Sequence, residues 1–314
     1  MIRNAIPDGG VPVFFEKAES YGDPRLERRA AELLEAAGVR PKRGTRVLVK
    51  PNLVAPKNMG LSCTSPAVVR AACLYLLDCG AGVTVGDSPA FGTAKVVARL
   101  SGLTAALADL PVRLVNFSRS RRVPLSFGKS AAVAAHALDA ELIVNLPKLK
   151  VHNQMGMTAA VKNMFGCVTG FRKSLAHQLY GEKGNRFPRL IIDVMESLPE
   201  TVSLLDGITA MHREGPAGGD PFPLGLLAAA PGCVALDTAV YGLFGLSPDE
   251  VPLWSEALAM GLAGARPEEV RLARGRTEDF PVQGFERPAR LEPVAFHPKR
   301  FVTGRVKSML TRFR

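Results

Sequence analysis

The chain has 314 residues, a mass of 33.5 kDa and 47% hydrophobic residues, enough to bury one large α/β core or two smaller ones, which excludes a disordered polymer. Its net charge of +11 is unevenly placed: Arg287, Arg290, Lys299, Arg300, Arg305, Lys307, Arg312 and Arg314 face only Glu286 and Glu292 in residues 286–314, so the body is mildly basic. With 6% aromatic residues and no nucleic-acid-reading motif, that body lacks the basic, aromatic-interleaved face a nucleic-acid partner requires.

Cys63, Cys73, Cys79, Cys167 and Cys233 are scattered without a CxxC pair, so no zinc site and no iron–sulfur cluster is expected in this chain, and a reducing cytoplasm suits them. The start "MIRNAIPDGGVPVFF" lacks the apolar run of a signal peptide. The most apolar region, 224–246, is interrupted by Pro231-Gly232 and Asp237, so no membrane span is expected.

In chain order, the periodicity predicts a helix over 24–38, a strand at "TRVLVK" (45–50), and a helix over 65–79 after the cap-and-proline start "TSP". A strand at "GVTVGD" (82–87), a helix over 92–109 broken at Gly102, and a strand at "VRLVNF" (112–117) follow. The Ala-rich stretch 130–138 reads as a helix, "ELIVNL" (141–146) as a buried strand, and 156–166 as a helix. A helix over 187–198, strands at 202–207 and 224–230, a helix over 233–245 and a late strand at 268–274 complete the body. Strands separated by single helices imply an α/β fold, a mostly parallel sheet with helices on both faces. The expected organisation is an α/β domain over 1–278, in one lobe or two, and a basic tail over 279–314.

In such a sheet ligands bind beyond the carboxyl ends of the strands, where loops and helix N-termini converge. Several strand ends here are polar: Lys50 and Asn52 in "VKPNLV", Asp87 and Ser88 in "GDSP", Asp206 and His212 in "LLDGITAMHREGP". Richest is "VNLPKLKVHN", where Lys148, Lys150 and His152 share a face if the chain is extended, with Asn153 next to them. Lys162 and Asn163 follow within the next predicted helix. Each residue also has a plainer reading: an aspartate can cap a helix or close a turn, and a lysine can lie along the surface in water. Their joint position favours an anion site, with Lys50, Asn52, Ser88, Lys148, Lys150, Asn153, Lys162, Asn163 and Asp206 binding a carboxylate or phosphate, and His152 and Asp87 as acid/base groups.

Other features carry less. "GDSPAFG" and "HREGPAGGDP" are glycine-rich but match neither a P-loop nor GxGxxG, and GxSxG and HExxH are absent. Metal ligation by Asp87, Asp206 and His152 or His212 has no supporting spacing, so no metal is expected. Cys167 reads as a small buried hydrophobe, His136 as structural on a helix, and His177 and His297 have no convergent partner.

The order of "VLVKPNLV", "TSPAVVRAA", "VGDSP", "LIVNLPKLKVHNQMGMTAAVKNMFGCVTG" and "LLDGITAMHREGPAGGDPFPLGLLAAAPGCVALDTAV" resembles domain-of-unknown-function family 362, over roughly residues 10 to 275. The resemblance implies that Lys50, Asn52, Asp87, Lys148, Lys150, His152, Lys162, Asn163, Asp206 and Asp237 occupy positions of the family pattern. Longer members carry a C-terminal ferredoxin-like module with two iron–sulfur motifs, which implies electron transfer to something bound on the α/β body. This sequence stops at "FVTGRVKSMLTRFR" with no cysteine after Cys233, and shows "MHREGP" where the pattern has an acidic, glycine-rich turn.

The leading expectation is a reductase-like oxidoreductase acting on an anionic small molecule, with electrons from a separate ferredoxin. The alternatives are a non-redox isomerase or lyase using the same rim, and a binding or scaffold protein. The cofactor is left unknown. In the tail, Val302, Val306, Met309, Leu310 and Phe313 fall at helical spacing among basic residues, the pattern of a short amphipathic helix. It either docks on its own body or reaches an acidic partner or anionic membrane, so the location expected is cytoplasmic, with peripheral membrane contact through 299–314 as the variant.

Overall fold

The computed structural model describes residues 6–54, 58–89, 92–169, 180 and 184–292. The strands are β1 (Val11–Lys17), β2 (Arg46–Pro51), β3 (Gly82–Asp87), β4 (Arg113–Asn116), β5 (Ser120–Leu125), β6 (Lys129–Ala134), β7 (Leu142–Leu146), β8 (Lys148–His152), β9 (Gly156–Thr158), β10 (Thr201–His212), β11 (Asp220–Phe222), β12 (Leu226–Pro231) and β13 (Val270–Arg274). The helices are α1 (Leu26–Ala36), α2 (Met59–Ser62), α3 (Pro66–Asp78), α4 (Ala94–Leu100), α5 (Leu103–Ala106), α6 (Ala135–Leu138), α7 (Ala160–Met164), α8 (Arg186–Glu196), α9 (Val234–Leu243) and α10 (Pro252–Ala259).

The main sheet runs β13-β1-β12-β10-β7-β2-β3-β4. Neighbours are parallel throughout except at β12, which runs against both β1 and β10. The expected mostly parallel α/β sheet is therefore present, with one reversed strand near an edge. That reversal follows from the short connection through β11, which folds back antiparallel on β10 before β12 begins.

Helices cover both faces, and strand alternation divides the core accordingly. Val47 and Val49 of β2 and Val144 of β7 pack into the layer beneath α1, α3, α4 and α5. Leu48 and Ile143 point into the layer formed with α7, α8, α9 and α10. Helix α1 buries Leu26, Ala30, Leu33 and Leu34 on one stripe, and α8 buries Phe187, Leu190, Ile191, Val194 and Met195. Ser65 caps α3 by accepting the Ala67 N–H at 3.3 Å, with Pro66 at the first helical position, and Thr93 caps α4 likewise.

Two sequence expectations need correction. Residues 130–138 are not one helix: Lys129–Ala134 forms β6, antiparallel to β5 from Ser120↔Ala134 to Leu125↔Lys129, and only Ala135–Leu138 is helical. Hairpin pairing overrides the helical preference of the alanines. The helix expected over 156–166 begins at Ala160, because Gly156–Thr158 pairs antiparallel with β8 as β9. Strands β1 and β5 and helix α10 were not expected.

Beyond Asp279 the chain keeps packing on the body: Phe280 is buried edge-on to Phe15, and Phe285 contacts His212, Phe222 and Phe244. His177, His297 and the amphipathic tail pattern at 302–313 lie outside the described residues. No helix among the described residues is long and apolar enough to cross a membrane.

Candidate functional site

Register sets the site. Lys50 of β2 lies beside Asn145 of β7, and Asn145 beside Ser203 of β10, giving a polar row across three parallel strands. Lys50 is two residues past Leu48 and so faces the α7 layer, where Asn163 closes over the row. The Asn163 amide donates to Asn145 Oδ1 at 2.7 Å and to the Lys50 carbonyl at 3.3 Å, while Asn145 Nδ2 donates to Ser203 Oγ and the Ala160 carbonyl, each at 3.1 Å.

The fully buried Lys50 ammonium is ion-paired with Asp87 Oδ1 at 2.9 Å and donates to the Pro51 carbonyl at 3.1 Å and to Asn163 Oδ1 at 3.2 Å. The other Asp87 oxygen accepts the Leu53 N–H at 2.8 Å. Asp87 thus links the ends of β2 and β3, with Ser88 buried beside it.

After Leu146 the chain steps through Pro147 into β8, whose five residues are all buried. Residues 148–152 are extended, the condition under which the three polar side chains share a face: Leu149 and Val151 enter the α7-side core, and Lys148, Lys150 and His152 alternate with them. Lys148 pairs in register with Asp206 of β10, and its ammonium lies 3.1 Å from both carboxylate oxygens. Tyr21, in the loop after β1, completes this group: its hydroxyl accepts from Lys148 and donates to Asp206 Oδ1 at 2.9 Å. Burial, then the neighbouring Asp206 charge, push the Tyr21 phenol well above its usual range. Asp206 also accepts the Ser65 N–H at 2.9 Å, tying the start of α3 to the site.

Lys150 differs. It is 5% exposed and donates to Asn52 Oδ1 and to the Ser62 carbonyl at 2.6 Å, both neutral acceptors. Burial is the main cause of its lowered pKa, about 7, and the Lys162 and Lys148 charges add to it. Lys162 is half-buried on α7, its ammonium 5.1 Å from the centre of the Phe165 ring, and Asn52 is also half-buried. His152 is buried and accepts the Gln154 N–H on Nδ1, so its neutral form carries the proton on Nε2.

Helix α7 is held by a group the residue-level reading left unassigned. Asp237 of α9 accepts the Ala160 N–H at 2.6 Å and the Val161 N–H at 3.1 Å, capping α7 from a separate element, and Tyr241 donates to it at 3.2 Å. Burial raises the Asp237 carboxyl to about 7, against the pull of these three hydrogen bonds.

Of the residues singled out in the sequence, Lys50, Asn52, Asp87, Lys148, Lys150, Asn163 and Asp206 join in direct contacts at this rim. Asn153 turns its amide to the Gly215 N–H and to Glu292, fastening the loop after β10 and the chain past β13. His212 lies in the aromatic group with Phe222 and Phe285. The sequence reading missed Tyr21 and Ser62, which carry no motif, and Asn145, which was quoted only as part of a strand. Among the described residues, no three His, Cys, Asp or Glu side chains converge as metal ligands.

The family model "Domain of unknown function (DUF362)" matches residues 47–242, the span from β2 to α9 that carries most of the rim. The chain is 34% identical over 304 residues to the thylakoid-associated protein sll1697 of Synechocystis sp., covering 95% of this chain and 94% of that protein. The lactate racemase apoprotein of Thermoanaerobacterium thermosaccharolyticum aligns with a TM-score of 0.43 and 13% identity over 64% of this chain and 52% of its own. The matched span and the near full-length relative place the chain in the DUF362 family.

Proposed function

We propose that the protein is an enzyme that binds a small carboxylate or phosphate at the carboxyl ends of β2, β3 and β8 and moves a proton with Lys150, as an isomerase or lyase. The observation that carries this is the charge arrangement. Lys50 and Lys148 are paired with Asp87 and Asp206, whereas among the described residues Lys150 donates to neutral acceptors, the half-buried Asn52 and the Ser62 carbonyl, and to no carboxylate. An amine that titrates near neutrality serves as both proton acceptor and donor. In this reading Lys50, Asp87, Asn163, Lys148 and Asp206 fix the scaffold, Asn52, Ser88 and Lys162 border the ligand, Asn153 ties down the loop after β10, and His152 is the second acid/base group.

The test is a thermal-shift screen of small carboxylates and phosphates, followed by NMR of each stabilising ligand in deuterium oxide. Deuterium entering next to the carboxylate, and lost in Lys150→Ala, is the expected result. Ligands that stabilise the fold but never exchange would reduce the protein to a binder. The reductive variant, with electrons from a separate iron–sulfur partner such as ferredoxin, is distinguished by turnover that requires reduced ferredoxin.

A second proposal concerns location. A relative similar over nearly its whole length is described as thylakoid-associated, and residues 299–314 combine apolar spacing with basic residues. Peripheral contact with an anionic membrane follows. The full chain should sediment with phosphatidylglycerol vesicles in low salt and a chain ending at Glu292 should not; equal sedimentation of both would refute it.

A further inference from the structure

At the opposite end of the sheet from the rim, a cleft of about 550 Å³ opens between the starts of β1 and β10, the end of β12 and the turn at Leu262 and Ala263. Small-molecule pockets span about 300–1,000 Å³, so a modest organic ligand fits. Val11, Met195, Val202, Val234 and Leu262 give the cleft apolar walls, each at most 9% exposed. An aliphatic body is therefore drawn out of water into it. Charge then selects among aliphatic ligands. Glu196 and Glu200 line the cleft and are exposed, and none of its described lining residues is Lys, Arg or His. Two helix ends also meet there, the C-terminus of α8 at Met195 and Glu196 and the N-terminus of α9 at Val234 and Ala235. Helix ends carry about half a charge each, of opposite sign, so these two offset one another and the full charge of Glu200 alone makes the sum negative. The lining holds no Phe, Tyr or Trp, so a quaternary ammonium lacks the ring faces that such ions use, whereas carboxylates accept N–H donors.

We propose that this cleft is a second ligand site, for a small aliphatic primary amine whose chain lies along the apolar walls and whose ammonium meets Glu200 and Glu196. The site is separate from the rim and selects the opposite charge. Thr201, which lines it, begins β10, and Asp206 lies five residues further along that strand, about 17 Å at the rise of a parallel strand. Cys233 forms part of the wall, with its sulfur 3.4 Å from Ser203 Oγ and 3.6 Å from Asn145 Nδ2, so the cleft abuts the polar row that runs across the sheet to Lys50. Burial pushes the Cys233 thiol up to about 12, and a thiol held protonated is a poor nucleophile, so binding is non-covalent.

The experiment titrates the full chain with hexylamine, hexanol, hexanoate and hexyltrimethylammonium at pH 7 by calorimetry, and maps the peptides labelled by an alkylamine that carries a diazirine. Hexylamine should bind about fivefold tighter than hexanol, the size of one partly exposed ion pair, and should lose that margin in high salt. Hexanoate and hexyltrimethylammonium should bind more weakly than hexylamine. The photolabel should fall within residues 195–202 and 231–235. Glu200→Gln, a change at an exposed side chain, should remove most of the margin over hexanol, and Ala263→Trp, which fills the cleft, should abolish binding. The wild-type label map decides the location whether or not the tryptophan variant folds. Equal affinity for hexanol and hexylamine, or tighter binding of hexanoate, overturns the selection of a cation. A label spread over surface carboxylates, or no heat with any of the four compounds, overturns the site itself.

Discussion

Gly166 lies directly over Asp87: a Cβ at this glycine would stand 2.3 Å from Asp87 Oδ1 and 2.4 Å from Lys50 Nζ. The Lys50–Asp87 pair is thus roofed by backbone, and only hydrogen fits between. Gly166→Ala is expected to cost about 1–3 kcal/mol, as overpacking of a filled interior does. Urea denaturation of the two proteins measures it; an unchanged midpoint would show that the pair moves aside freely.

The Lys148–Asp206 pair is fully buried, so removing one partner leaves an uncompensated charge. Asp206→Asn and Lys148→Met should each destabilise by about 3–5 kcal/mol, and the double variant by clearly less than their sum. A double-mutant cycle from equilibrium unfolding gives the coupling. Strict additivity would mean that Tyr21 and the Ser65 N–H already satisfy the carboxylate without the lysine.

Lys150 gives a pH dependence of defined sign. Its folded-state pKa is lowered from 10.5 to about 7, so between these values the unfolded chain holds a proton that the folded chain lacks. Stability from this group therefore rises with pH across that window, and burying the lysine is most unfavourable below pH 7. Lys150→Met should gain on the wild type at pH 6. Its advantage should shrink by on the order of 3 kcal/mol by pH 9.5. Unfolding at both pH values checks this; a constant difference would place the amine's titration outside the window.

Asp237 carries the opposite slope. Its carboxyl rises from 3.8 to about 7 on folding, so the folded state keeps a proton that the unfolded chain releases, and stability from this group falls as pH climbs through that range. Asp237→Ala leaves the Ala160 and Val161 N–H groups without their acceptor and should cost about 2 kcal/mol. Hydrogen exchange at those two amides reports the loss locally, and protection equal to wild type would contradict the capping role.

The sheet was largely legible because β2, β3 and β7 are short apolar runs bounded by turn residues, and a parallel sheet buries such strands on both faces. Strand β1 was not: Val11, Val13 and Phe15 do alternate into the core, but Pro12 reads as a strand breaker and the strand's place is fixed by β12 and β13, distant in sequence. At the rim, the lysines and carboxylates were visible as residues, but not which joined which. That depends on register: Lys148 opposite Asp206 across a parallel pair, and Lys50 reaching Asp87 past the strand end. Tyr21 reaches Asp206 from 185 positions away and left no local trace.

The row of Lys50, Asn145 and Ser203 also acts as an alignment key for the sheet. Parallel strands made of valine, isoleucine and leucine pair almost equally well one residue out of step, because every side chain is apolar. Here a single-residue slip of β7 would turn Asn145 into the aliphatic layer under α1 and α3 and strip Asn163 and Ser203 of their hydrogen bonds. The polar groups at the rim thereby reject misaligned sheets as they form, which ties correct assembly of the strands to the same atoms that shape the site.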